Sequence, residues 1–229
     1  MSKQPSDVVR SPKDLLKFRC TGCGNCCKEP LLPLTDADVI RIRENTGDEP
    51  IDFVRFVDKD AIDLDDEPEA FALLSQGRRV MILRHQAGGC RYLGADLRCT
   101  IYDARPLGCR IFPFDPRFDK QGGLRRLKLI QAADCKYELD GWNDPDDLRN
   151  LHERYEAATA AYQEKIAAWN RTQKQRQRQG KKVQSSRQFL SYLGAFADDV
   201  TLPAGRPKRP GREAQPASKD RSRFSSSQR

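Results

Sequence analysis

Cys20-Thr21-Gly22-Cys23-Gly24-Asn25-Cys26-Cys27 places four thiols in eight residues. The two-residue gaps let successive sulfurs aim at one point, and Gly22 and Gly24 free the backbone to curl around what they hold. Clustered thiolates of this kind suit a soft metal ion or an iron–sulfur cluster. Four further cysteines follow at Cys90, Cys99, Cys109 and Cys135. The fold is therefore expected to be organised around cysteines that approach each other from both ends of a small domain.

Working outward, residues 1–17 are polar and read as a flexible lead-in. Thr35 is a helix cap with Asp36 and Asp38 in the first turn and Gly47 as the stop, so a helix is expected over 36–45. Ile51 to Val57 reads as a further turn of helix. Residues 58–69 are acidic and lack the central Gly and ligand order of a calcium loop, which makes them a solvated loop. Strands are expected over Arg79–Arg84, Leu97–Tyr102 and Leu124–Ile130, forming a small antiparallel sheet with the cysteines at its turns. Asp144-Pro145 starts a long amphipathic helix over 145–176, with Leu148, Tyr155, Tyr162 and Trp169 seven residues apart. The seam weakens at Lys165, where Ile166 takes over. Fewer clean heptads than a coiled coil needs make this a helix packed on its own domain. Phe189, Tyr192, Leu193 and Phe196 suggest one more amphipathic helix. From Pro203 the chain is rich in Pro, Gly, Ser and Arg and lacks the apolar surface to order itself. The expected architecture is α+β. It comprises a cysteine-cluster metal-binding domain at 18–140, a helical extension at 141–200 and a disordered basic tail at 201–229.

The net charge of +8 over 229 residues is unevenly placed. Residues 171–187 carry seven Lys/Arg and no acid, and residues 203–229 carry eight Lys/Arg against two acids. The first 170 residues are mildly acidic. Weak, salt-dependent nucleic-acid binding is thus an expectation for the basic tail alone, where stacking aromatics are almost absent. A protein partner is an expectation for the helical extension. No apolar run suits a signal peptide or a membrane span, so the cytoplasm is expected, where clustered thiols stay reduced and favour metal over disulfides.

All eight cysteines, Cys20, Cys23, Cys26, Cys27, Cys90, Cys99, Cys109 and Cys135, are candidate metal ligands. Cys20, Cys23 and Cys26 resemble the first three ligands of a bacterial ferredoxin run, but the next cysteine is Cys27, with Pro30 where the fourth ferredoxin ligand would stand. Adjacent side chains of an extended segment point apart, so Cys26 and Cys27 are able to serve two centres, or only one of them binds. Ribbon-type zinc is weakened by the absence of a second C-x2-C pair. His85 and His152 lie at no ligand spacing and read as ordinary polar residues. Four thiolates around Zn²⁺ or a [4Fe–4S]²⁺ cluster leave two negative charges. Arg91, Arg98, Arg105 and Arg110 flank the second cysteine group, either to balance them or to pair with Asp96 and Asp103.

Further motifs are Cys90-Arg91-Tyr92-Leu93 and the run from Cys99-Thr100-Ile101-Tyr102 through Arg105-Pro106 to Cys109-Arg110, Phe112, Pro113 and Phe114. With Phe18, Cys20, Cys23, Gly24, Cys26 and Cys27 upstream, the chain resembles the YkgJ-type cysteine-cluster family, described as a zinc- or iron-chelating domain, over roughly 18–140. The resemblance implies a metal-binding domain holding an iron–sulfur cluster, [4Fe–4S] first, or zinc. It implies no reaction. A zinc-stabilised binding module is the alternative. Flagellin lysine methylases share the cysteine pattern, but a Gly-rich methyl-donor loop is missing, so a methylase-related activity would be analogy. No acid/base pair, Ser–His arrangement or phosphate loop is found, and catalysis stays open.

Overall fold

The computed structural model describes residues 11–29, 31–62, 64, 67–130 and 133–197. Most of the lead-in and the whole tail at 201–229 lie outside the described residues. Ser11 caps α1 (Pro12–Leu15) and β1 follows (Arg19–Cys20). Helix α2 (Asp36–Thr46) starts on a capping box in which Thr35 and Asp38 satisfy each other's backbone N–H, and ends on Gly47 in the left-handed conformation. Then come α3 (Pro50–Phe53), β2 (Val54–Val57), β3 (Ala72–Leu74), β4 (Gly77–Leu83), β5 (His85–Gln86) and β6 (Gly89–Cys90). The second half holds α4 (Leu107–Ile111), β7 (Phe114–Phe118), β8 (Leu124–Leu129), β9 (Tyr137–Glu138), α5 (Pro145–Arg178) and α6 (Ser186–Tyr192). The fold is α+β.

Two expectations are corrected. Ile51–Val57 is helical only to Phe53; the β-branched Val54 and Val57 pair in β2 with Leu83 and Val80 of β4. Leu97–Tyr102 is not a strand. Gly94 N–H and Leu97 N–H enter a tight turn, Leu97 takes a positive φ of 62°, and Tyr102–Ala104 is a 3-10 turn. Only the Leu93–Cys99 bridge survives of the expected pairing. In place of one sheet, the described residues form four small antiparallel ones, β1–β9, β2–β4–β3, β5–β6 and β7–β8.

Helix α5 spans two apolar cores. Its first turns, with Leu148 buried and Leu151 and Tyr155 partly so, pack with Leu15, Leu16, Ile111, Phe114 and Leu127. Its middle, with Tyr162, Ile166 and Trp169, packs with Val39, Ile42, Phe53, Met81 and Phe189 of the main core. Lys165, the weak heptad position, instead pairs with Asp36 at the start of α2. Polar ties add register: Trp169 Nε1 donates to the Leu73 carbonyl at 2.8 Å, and Asn170 bonds both Leu73 N–H and the Phe71 carbonyl. A third cluster under β4 joins Val57, Phe71, Val80 and Ile82. With α5 closing one side, the cysteine-bearing loops gather on the other walls of the same unit.

Candidate metal centre

The early cysteines ride on a tight hairpin of backbone. Gly22 and Gly24 both adopt φ +72°, which only glycine takes without strain, and the chain then closes a 3-10 turn over Asn25–Cys27. A Cβ on Gly24 would stand 3.1 Å from Leu97 Cβ, so this turn lies directly against the loop that precedes Cys99. The expectation that Cys26 and Cys27 point apart fails for a physical reason. They sit in a 3-10 turn rather than an extended strand, and both line the same cavity.

Three later segments close on that hairpin. Strands β5 and β6 pair His85 with Cys90, and Gly89 (φ +135°) packs so tightly on Cys27 that a Cβ would lie 2.7 Å from the Cys27 carbonyl oxygen. Helix α4 presents Cys109. Its entry is held by the buried Asp38, which accepts from Leu107 N–H at 3.0 Å and from Arg41. Arg41 and Arg110 both donate to the Arg105 carbonyl, at 3.0 and 3.1 Å. Cys135 arrives through the β1–β9 pairing, which sets Cys20 opposite Tyr137. Thr21 Oγ1 donates to the Lys136 carbonyl at 2.8 Å and Asn25 Nδ2 to the Asp134 carbonyl at 2.6 Å.

The result is a cavity of about 580 Å³ lined by six thiols, those of Cys20, Cys26, Cys27, Cys90, Cys99 and Cys109. Cys23 and Cys135 lie off its wall. Arg19, Arg98, Arg105 and His85 contribute to the lining and no carboxylate does. Of the four arginines singled out in the sequence, Arg98 and Arg105 face the cavity. Arg91 pairs with Asp48 at 3.6 Å, and Arg110 donates to the Asp103 carbonyl. Asp96 accepts from the Arg98 backbone N–H rather than its guanidinium. His85, which sequence spacing had set aside, lies on the wall, where burial pushes its pKa down. His152 packs near the Phe118 ring instead, 5.8 Å between centroids. Arg19 was not singled out either; it flanks Cys20 in sequence, and only that adjacency could have marked it.

The thiols differ in electrostatic setting. The hydrogen bond from Cys27 holds the Cys26 thiol down at about 6, against burial, with Arg105 assisting. The same bond raises Cys27, and burial adds to it. Burial first, then neighbouring sulfurs, raises Cys109; the same causes push Cys135 up to about 12. The Arg105 charge pulls Cys26, Cys99 and Cys109 down. Clustered thiols without a metal thus resist giving up more than the first proton, and a cation is what lets the rest ionise.

None of the eight cysteines is paired in a disulfide. Among the described residues no three Cys, His, Asp or Glu side chains already stand at the spacing that holds a metal ion, so binding requires the thiols to close inward. As a donor set they fit a thiophilic metal: soft ligands from four segments, cations beside them, and no competing carboxylate on the wall.

A small α+β unit built round converging thiols defines a metal-chelating domain. The profile of the CxxCxxCC family, described as a "putative zinc- or iron-chelating domain", matches residues 19–136, and the chain belongs to this family. The match contains all eight cysteines. Neither the curated proteins nor the solved structures give a match to the chain. Among the described residues no helix is long and apolar enough to cross a membrane.

Proposed function

We propose that this protein holds an iron–sulfur cluster on its clustered cysteines and uses it as a redox or sensing centre. One observation carries this: six thiols from both halves of the domain line a single cavity of about 580 Å³. That is ample for a sulfide-bridged cluster and more than one tetrahedral ion with its four sulfurs requires. The Cys20, Cys23, Cys26 spacing also resembles the start of a ferredoxin run. Arg98 and Arg105 offset the negative charge that four thiolates leave around a [4Fe–4S]²⁺ core. The bound cluster would supply one-electron chemistry. The chain's residues bind it, set its charge environment and limit its contact with water. A reducing cytoplasm suits uncrosslinked thiols of this density.

A second reading has its own support. Four thiolates also complete a tetrahedral zinc site, and the matching family is described as zinc- or iron-chelating. The deciding experiment is metal and acid-labile sulfide analysis of protein prepared anaerobically. Brown protein with iron and sulfide in equal amounts is the expected result. Colourless protein with stoichiometric zinc and no sulfide would overturn it.

A further inference from the structure

We infer that the eight cysteines form two four-thiolate centres that meet at the Cys26–Cys27 pair. An outer centre uses Cys20, Cys23, Cys26 and Cys135, and an inner one uses Cys27, Cys90, Cys99 and Cys109. This rests on the thiolate–metal reading above and adds to it the number and composition of the centres.

The outer set is defined by how the 133–138 segment is attached. Three independent ties, the β1–β9 pairing, Thr21 to Lys136 and Asn25 to Asp134, all join it to the hairpin of Cys20–Cys26. None of the three reaches the Cys90–Cys109 region. These ties bring Cys135 to the side of the Cys20–Cys26 hairpin.

The inner set is defined by a different packing. Gly89 rests on the Cys27 carbonyl and carries Cys90 with it. The Leu93–Cys99 bridge ties the Cys99 loop to the stretch that follows Cys90. All four inner thiols line the cavity, whereas of the outer set only Cys20 and Cys26 do. Cys26 belongs to the tied hairpin and also lines the cavity, so the two centres are neighbours. Three cations, Arg19, Arg98 and Arg105, line the cavity, with Arg19 next to Cys20 in the chain.

Count and charge agree with this division. Four thiolates complete either a tetrahedral ion or a cubane cluster, so one centre would leave four thiols idle. Each thiol gives up its proton to solvent as the metal binds. Zinc binding involves no electron transfer, and a [4Fe–4S]²⁺ core balances as two ferric and two ferrous ions with four sulfides, so the reconstitution mixture supplies iron in both oxidation states.

The test is metal and sulfide stoichiometry on full-length protein reconstituted anaerobically with iron and sulfide, and in parallel with zinc alone. The expected content is about eight iron and eight sulfide, or about two zinc, per chain. Cys135→Ser and Cys23→Ser should each halve it and leave the inner centre. Cys109→Ser and Cys99→Ser should each halve it and leave the outer one, with a different electron paramagnetic resonance spectrum after reduction. Wild-type protein saturating at about four iron, or at one zinc, would overturn the division whatever the variants do. So would Cys23→Ser and Cys135→Ser removing all metal from protein whose circular dichroism shows it folded. Two zinc without sulfide would sink the iron–sulfur reading and leave the division standing; four iron with four sulfide would do the reverse.

Discussion

At the residue scale, the adjacent cysteines set the chemistry. The Cys27 side chain holds the Cys26 thiol below the ordinary thiol range and is itself raised, so Cys26 is the first of the pair to lose its proton. Because its pKa is lowered, its thiolate persists at pH values where an ordinary thiol is protonated. In reduced, metal-free protein, the pH profile of iodoacetamide labelling at Cys26 should have its midpoint near 6. Cys27→Ala removes that side chain and should move that midpoint up toward the ordinary thiol value of about 8.5. Peptide mapping by mass spectrometry across a pH series checks this; a midpoint unmoved by the substitution would refute the influence of Cys27. Asp38 shows a second kind of residue-level work. Its carboxylate satisfies its own helix cap, Leu107 N–H and Arg41 together, and so fixes the wall that carries Arg105 and Cys109.

At the element scale, α5 decides how firmly that wall stands. Trp169 is buried between β3 and α6, contacts Phe189 and Tyr192, and donates to the Leu73 carbonyl. Trp169→Ala removes a large buried ring and leaves that carbonyl without its partner, a loss of about 3–5 kcal/mol. Urea denaturation should show the midpoint falling while far-UV circular dichroism of the native protein stays helical; a change under 1 kcal/mol, on the scale of an exposed substitution, would contradict the packing.

Elements with end signals were legible in the sequence. Thr35, Asp38 and Gly47 bound α2, and Asp144-Pro145 starts α5, because caps are local chemistry. The short strands were half legible. Leu97–Tyr102 has the residue types of a strand, but Gly94 and Asp96 close a turn that pulls it out of any sheet. Alternation alone could not weigh that turn against pairing. The cysteines themselves were plain from spacing, and their meeting in space follows the expectation that both ends of the domain converge. That Cys26 and Cys27 sit in a 3-10 turn was not readable, since the turn follows the left-handed Gly24 packed against Leu97. The place of His85 on the cavity wall was not readable, because its relation to Cys90 is made by β-pairing and not by sequence interval.

At the scale of the whole molecule, metal and fold should be one equilibrium. The cysteines come from four chain segments, and whatever joins them restrains the unfolded chain and favours the native one. Metal at about a hundred times its dissociation constant adds roughly 2.7 kcal/mol, which for a chain of this size raises Tm by about 5–11 °C. Melting of anaerobically loaded and chelator-stripped protein, followed by circular dichroism, tests this. Equal Tm values would mean that the thiols close without ordering anything.

The tie between Thr21 and Lys136 has a further consequence for biogenesis. Its two ends are 115 residues apart. At about 5–20 residues per second a ribosome needs roughly 6–23 s to make that stretch, during which the first cysteines wait without their last companion. In the two-centre arrangement proposed above, the outer centre is complete only after translation has passed Cys135, and a nascent chain stalled before that point would display its early thiols to oxidants and scavenging metals.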